Sequence, residues 1–149
     1  MSAKLTLALV GCGAISQLHL PAVRKGAPRT EITAVVDTDA ARAQAMAERT
    51  GARPLTSLDA ALAAGGFDAV DLMLPHHLHE EIAVRCFAAG KHVLLEKPMA
   101  NDADACARIE CDLGVRQSVQ IALTLLRGDP FQGVREALVP HDRPCVILA

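Results

Sequence analysis

The chain has 149 residues, 51% of them hydrophobic, and a formal charge of −2, which allows one domain with a substantial core. It carries no basic run, only 2% aromatic residues and neither Trp nor Tyr, which excludes a nucleic-acid surface built on charge and base stacking. Ala, Leu and Val carry the core instead, a composition suited to helices packed on a parallel sheet.

The first predicted strand, Leu5 to Val10, runs straight into Gly11-Cys12-Gly13-Ala14-Ile15-Ser16 and then into a helix over Ala14 to Lys25. Strand, glycine turn and helix in that order are what a dinucleotide loop requires. Gly11 allows the tight turn, and Gly13, lacking a Cβ, lets a pyrophosphate approach the backbone. The diphosphate charge would then sit on the N–H groups of Gly13, Ala14, Ile15 and Ser16 at the helix N-terminus. The third position of the G-x-G-x-x-G pattern is Ser16, so a plain turn without ligand stays open at this point. Ile15, Leu18 and Val23 are expected to pack, with Pro21 bending the helix or shifting its hydrogen bonds. Leu9-Val10-Gly11-Cys12 also looks like a lipoprotein signal, but its apolar stretch is short and only Lys4 precedes it, so strand and loop are preferred.

The second strand, Glu31 to Val36, ends on Asp37, about 20 residues beyond the loop, where a carboxylate can accept hydrogen bonds from the adenosine ribose hydroxyls. With Thr38 beside it, Asp37 favours NAD over NADP by repelling a 2′-phosphate. Asp37 could also cap the next helix, and Arg42 one turn on leaves NADP open. That helix, Asp39 to Arg49, closes at Gly51, and a short strand at Pro54-Leu55 precedes Ser57, the expected N-cap of a helix over Leu58 to Ala64. After Gly65-Gly66 come a strand over Ala69 to Leu74 stopped by Pro75, a helix over His77 to Ala89 and a strand over Lys91 to Leu95. Asn101 or Asp102 caps a further helix to about Leu113, and Ser118 to Leu126 reads as a sixth strand buried on both faces. The alternation predicts a Rossmann-type doubly wound parallel sheet, α/β in three layers, with strand order 3-2-1-4-5-6. The cofactor lies across the carboxyl ends of strands one and four.

Two later segments carry a resemblance. Leu72-Met73-Leu74-Pro75-His76-His77-Leu78-His79 and Ala88-Ala89-Gly90-Lys91-His92-Val93-Leu94-Leu95-Glu96-Lys97-Pro98 resemble the Gfo/Idh/MocA oxidoreductases. That family carries a Pro-Asn-x-x-His-like segment after strand four and A-G-K-H-V-x-x-E-K-P at strand five. His19 fits its first helix, and Arg127, Asp129-Pro130-Phe131 and Val134-Arg135-Glu136 extend the likeness, which covers roughly residues 4 to 138.

The resemblance implies that Leu74, Pro75 and His76 touch the nicotinamide and ribose side, His76 standing where the family has Asn. His79 is grouped with them, chiefly as a brace for its helix. Glu96, Lys97 and Pro98 face the cleft. Lys97 is the implied catalytic residue, its ammonium polarising the substrate oxygen as hydride moves. Glu96 is expected to hold that lysine, and Pro98 to fix the turn through a bond able to be cis. The implied function is an NAD(P)-dependent oxidoreductase acting on a sugar, cyclitol or dihydrodiol-like substrate.

The family's Asp-x-x-x-His acid/base pair has no match, since His141-Asp142 stands in the wrong order and place. The expected organisation is therefore a Rossmann domain over residues 1–126, with residues 127–149 the start of a truncated C-terminal domain or an aberrant tail. The substrate domain is largely absent, and Cys145-Val146-Ile147-Leu148 reads as a lone strand without a partner. Exposed apolar surface near Val119 to Phe131 would favour self-association. A homo-oligomer or a separate C-terminal-domain partner is possible on this reading, and a non-catalytic NAD(H)-binding module is the alternative function. A CoA-binding module is a third reading, which Asp37 and Glu96-Lys97-Pro98 argue against. Five cysteines without a C-x-x-C pair point to reduced thiols in the cytoplasm. His76, His77 and His79 lack a companion ligand group at recognisable spacing, so no metal is expected.

Overall fold

Strand β1 (Leu5–Val10) feeds two cores at once, because successive side chains point to opposite faces. Leu5, Leu7 and Leu9 enter one cluster, and Ala8 and Val10 the other. A strand buried on both faces belongs in the middle of a three-layer stack. The computed structural model describes residues 4–26, 29–112, 118–122 and 145–148, the last two stretches as backbone.

Helix α1 (Ser16–Gly26), β2 (Thr30–Val36), α2 (Ala40–Thr50), β3 (Arg53–Leu55), α3 (Leu58–Ala64) and β4 (Ala69–Leu72) follow in turn. A 3-10 turn at His76–Leu78 leads into α4 (His79–Ala88), then β5 (His92–Glu96), α5 (Ala103–Cys111), β6 (Ser118–Ala122) and β7 (Cys145–Leu148). The strands form one sheet in the order β3-β2-β1-β4-β5-β6-β7, and every neighbouring pair is parallel. The expected order 3-2-1-4-5-6 is therefore observed, with one strand added. Leu20 and Val23 of α1 and Met46 and Ala47 of α2 cover the face of Leu5, Leu7 and Leu9. Leu58 and Ala61 of α3, Ala83, Cys86 and Phe87 of α4, and Ala105 and Ile109 of α5 cover the other.

The added strand corrects one expectation. Residues 145–148 do not stand alone; they pair in parallel with β6, Ser118 opposite Cys145 and Ile121 opposite Leu148. They extend the parallel sheet by one strand. An edge strand presents a row of unpaired N–H and C=O groups, and β7 satisfies that row on β6. Residues 123–144, including Arg127, Asp129 to Phe131, Val134 to Glu136 and His141-Asp142, lie outside the described residues.

Several boundaries differ for local reasons. Helix α1 begins at Ser16 because Gly13 to Ile15 form tighter turns, with the N–H groups of Ser16, Gln17 and Leu18 donating three residues back at 2.9–3.2 Å. Leu18 does not pack; it is 63% exposed, while Leu20 and Val23 are buried. Helix α2 is capped by Asp39, whose carboxylate accepts from the N–H groups of Ala41 and Arg42, so Asp37 is not its cap. Ser57 and Asp102 cap α3 and α5 as expected. β4 stops at Leu72, α4 starts two residues later than expected, and β5 extends to Glu96, which pairs with Ala122. Among the described residues no helix is long and apolar enough to cross a membrane.

Candidate cofactor site

The glycine loop is pinned from three sides. Gly11 has φ +94°, and a Cβ there would stand 2.4 Å from the Met73 carbonyl oxygen, so the loop lies directly against the chain leaving β4. The Gly11 N–H donates to the Val36 carbonyl at 2.8 Å, and the Cys12 N–H donates to Asp37 Oδ2 at 2.7 Å. Ser16 is fully buried, and its hydroxyl donates to the Gly13 carbonyl at 2.6 Å. The serine that spoils the glycine pattern thus braces the loop from beneath.

What remains open is the upper surface. A Cβ at Gly13 would meet no protein atom within 4 Å. The N–H groups of Gly13, Ala14 and Ile15 have no acceptor among the described residues. Three free donors at the start of a helix of 11 residues, beside open space, fit the diphosphate of a dinucleotide. Cys12 takes no part: it is 7% exposed, and burial, helped by the Asp37 charge, pushes its thiol up to about 11.

Asp37 closes the β2 side. Its Oδ1 accepts from the Asp39 N–H at 2.8 Å while Oδ2 holds Cys12, so the carboxylate ties the end of β2 to the loop. A carboxylate has about four acceptor positions, so two remain for ribose hydroxyls. Thr38 beside it is exposed, and Arg42 is turned toward Asp39 at 3.4 Å.

Across the switch point between β1 and β4 lies the second wall. Leu74 is half-buried, and Pro75 and His76 are exposed. His79 stands behind these residues as a brace. It is 0% exposed, and its ring nitrogens stand 2.9 Å from the Leu74 carbonyl (Nε2) and 2.9 Å from the Pro98 carbonyl (Nδ1). Both polar atoms are spent on main chain behind the wall.

At the end of β5 the Lys97–Pro98 peptide is cis, and the Lys97 side chain is exposed. Glu96 does not hold Lys97. Its Oε1 accepts from His19 Nε2 at 2.7 Å, while His19 Nδ1 donates to Asp71 at 2.9 Å. His19 and Asp71 are both 0% exposed. Burial opposes a charge on His19, but the charge and hydrogen bond of Asp71, followed by those of Glu96, outweigh it and raise its pKa to about 9. Burial likewise raises Asp71, against the pull of His19. The signal for this cluster is Asp71 itself, an acid inside Ala-Val-Asp-Leu on a strand buried on both faces, which demands a partner. Among the described residues no group of three or more His, Cys, Asp or Glu is placed to hold a metal ion.

All of these pieces stand at the carboxyl ends of β1, β2, β4 and β5, the edge where open α/β sheets bind nucleotides. The family model of the Gfo/Idh/MocA oxidoreductases, described as an oxidoreductase family with an NAD-binding Rossmann fold, matches residues 5–121. The chain belongs to this family.

Among curated Gfo/Idh/MocA relatives, an inositol 2-dehydrogenase of Corynebacterium glutamicum (strain R) is 36% identical over 110 residues, covering 73% of this chain and 33% of the relative. An inositol 2-dehydrogenase of Leifsonia xyli subsp. xyli is 33% identical over 138 residues, 89% of this chain and 41% of the relative. The WlbA dehydrogenase from Bordetella pertussis, solved with NADH and UDP-GlcNAcA, is 38% identical with a TM-score of 0.71, over 75% of this chain and 32% of that one. KijD10, a 3-ketoreductase from Actinomadura kijaniata solved with TDP-benzene and NADP, is 35% identical with a TM-score of 0.69, over 73% of this chain and 34% of that one. The chain thus spans about a third to two fifths of the length of these Gfo/Idh/MocA proteins.

Proposed function

We propose that this chain is the nucleotide-binding part of an NAD-dependent oxidoreductase that moves hydride to or from a hydroxyl- or carbonyl-bearing carbon of a sugar, cyclitol or dihydrodiol-like substrate. The observation that carries this reading is the set of free N–H groups at Gly13, Ala14 and Ile15 beside open space, on the same sheet edge as Lys97. The inositol 2-dehydrogenases and sugar-nucleotide enzymes among its relatives supply the substrate class.

In this reading the loop amides bind the diphosphate and Asp37 accepts from the adenosine ribose. Leu74, Pro75 and His76 line the nicotinamide side, with Ser16 and His79 bracing the walls. A bound nicotinamide supplies the hydride donor or acceptor. Lys97 holds the substrate oxygen with its ammonium and stabilises the charge that grows there, as a preorganised donor does in a water-poor cleft. Asp37 favours NAD by repelling a 2′-phosphate, and the exposed Arg42, 3.4 Å from Asp39, leaves NADP as the second cofactor. A substrate-binding domain, in the same assembly or from a partner, completes the pocket. The free thiols Cys12, Cys86, Cys106 and Cys111 suit the cytoplasm.

Turnover of myo-inositol and nucleotide-sugar panels, followed by the near-ultraviolet absorbance of reduced nicotinamide, tests the proposal. Lys97→Ala is expected to lower kcat by about 100-fold or more while NADH still binds. NADH binding without turnover, alone or with candidate substrate domains, would instead make the chain a redox-sensing module.

A further inference from the structure

Lys97 is exposed and makes no hydrogen bond or ion pair among the described residues, so its aim depends on the main chain that carries it. Each neighbour in sequence is held by a buried histidine. Glu96, before it, is held through its carboxylate by His19 of α1 at 2.7 Å. Pro98, after it, is held through its carbonyl by His79 of α4 at 2.9 Å. Each histidine has a second anchor on the β4 side, Asp71 for His19 and the Leu74 carbonyl for His79.

We propose that His19 and His79 are positioning residues for Lys97, a pair of two-point links that fix the turn from opposite faces of the sheet. The inference rests on the role assigned to Lys97 above. Each ring spans two oxygen atoms, one beside Lys97 and one on β4 or the chain leaving it. Packing alone would not require this, because an apolar side chain fills such space without the desolvation of a buried polar ring. Among the described residues, Ser16, His19, Asp71 and His79 are the polar side chains with 0% exposure, and all four stand behind this edge of the sheet.

The test uses the full chain labelled with 15N, as wild type, His79→Leu and His79→Gln. Heteronuclear NOE values at the Lys97 and Met99 amides report the turn, NADH titration reports the cofactor, and turnover reports the chemistry. In His79→Leu we expect the two amides to lose order while β1 amides keep theirs. We also expect kcat to fall about 10- to 100-fold, with the NADH Kd within about threefold of wild type. His79→Gln retains one donor and recovers part of both. Unchanged NOE values and kcat in His79→Leu would overturn the proposal, as would a Kd that rises as far as kcat falls. Should His79→Leu not fold, His79→Gln decides: NOE values at Lys97 equal to wild type overturn the proposal, and a partial loss supports it. A wild type that binds NADH without turnover counts against the hydride reading alone, because the NOE comparison still reads the turn.

Discussion

Two glycines two residues apart have opposite jobs in this chain. Gly11 is required by the protein: φ +94° strains any L side chain, and its Cβ would overlap the Met73 carbonyl oxygen at 2.4 Å. Gly13 is free of such contact, so its lack of a Cβ matters only toward a ligand. Gly11→Ala should therefore destabilise the fold by at least about 2 kcal/mol, read as a lowered midpoint in denaturant unfolding. A midpoint equal to wild type would mean that the loop does not lie against β4. The two glycines look alike in the sequence, because the contact that separates them is made by a residue more than sixty positions away.

At the scale of elements, a charged cluster joins α1, β4 and β5. A group whose folded pKa exceeds its unfolded value adds stability that is complete below the unfolded pKa and lost as pH rises through the folded one. For His19, raised from 6.5 to about 9, the loss falls between those values. Its size is on the order of 3 kcal/mol before the opposing rise of Asp71 is subtracted. Urea midpoints should decline from neutral pH to pH about 10, and His19→Gln should flatten that decline while lowering stability throughout. A flat profile in wild type would contradict the cluster.

Helix caps and strand alternation were legible in the sequence because they are local. Ser57 and Asp102 cap what they precede, and the both-face burial of β1 follows from its run of apolar residues. The partners of His19, His79 and Cys145 to Leu148 were not legible, because each is made across the sheet. Glu96 illustrates the limit: beside Lys97 in sequence it reads as the lysine's partner, yet strand geometry turns it toward α1.

For the whole molecule, a seven-stranded parallel sheet carries every candidate residue on one edge, and both layers of helices serve that edge. The α1 layer supplies the loop amides and His19, and the α4 layer supplies His79. The account stands on that edge binding a dinucleotide through the Gly13 to Ile15 amides. Calorimetric titration of the chain with NADH, NADPH and CoA, in wild type and Gly13→Val, tests this most directly. Saturable NADH binding at one site, preferred over NADPH and CoA and abolished in a Gly13→Val chain with unchanged circular dichroism, is the predicted result. CoA binding without NADH binding, or NADH binding unaltered by Gly13→Val, would contradict it.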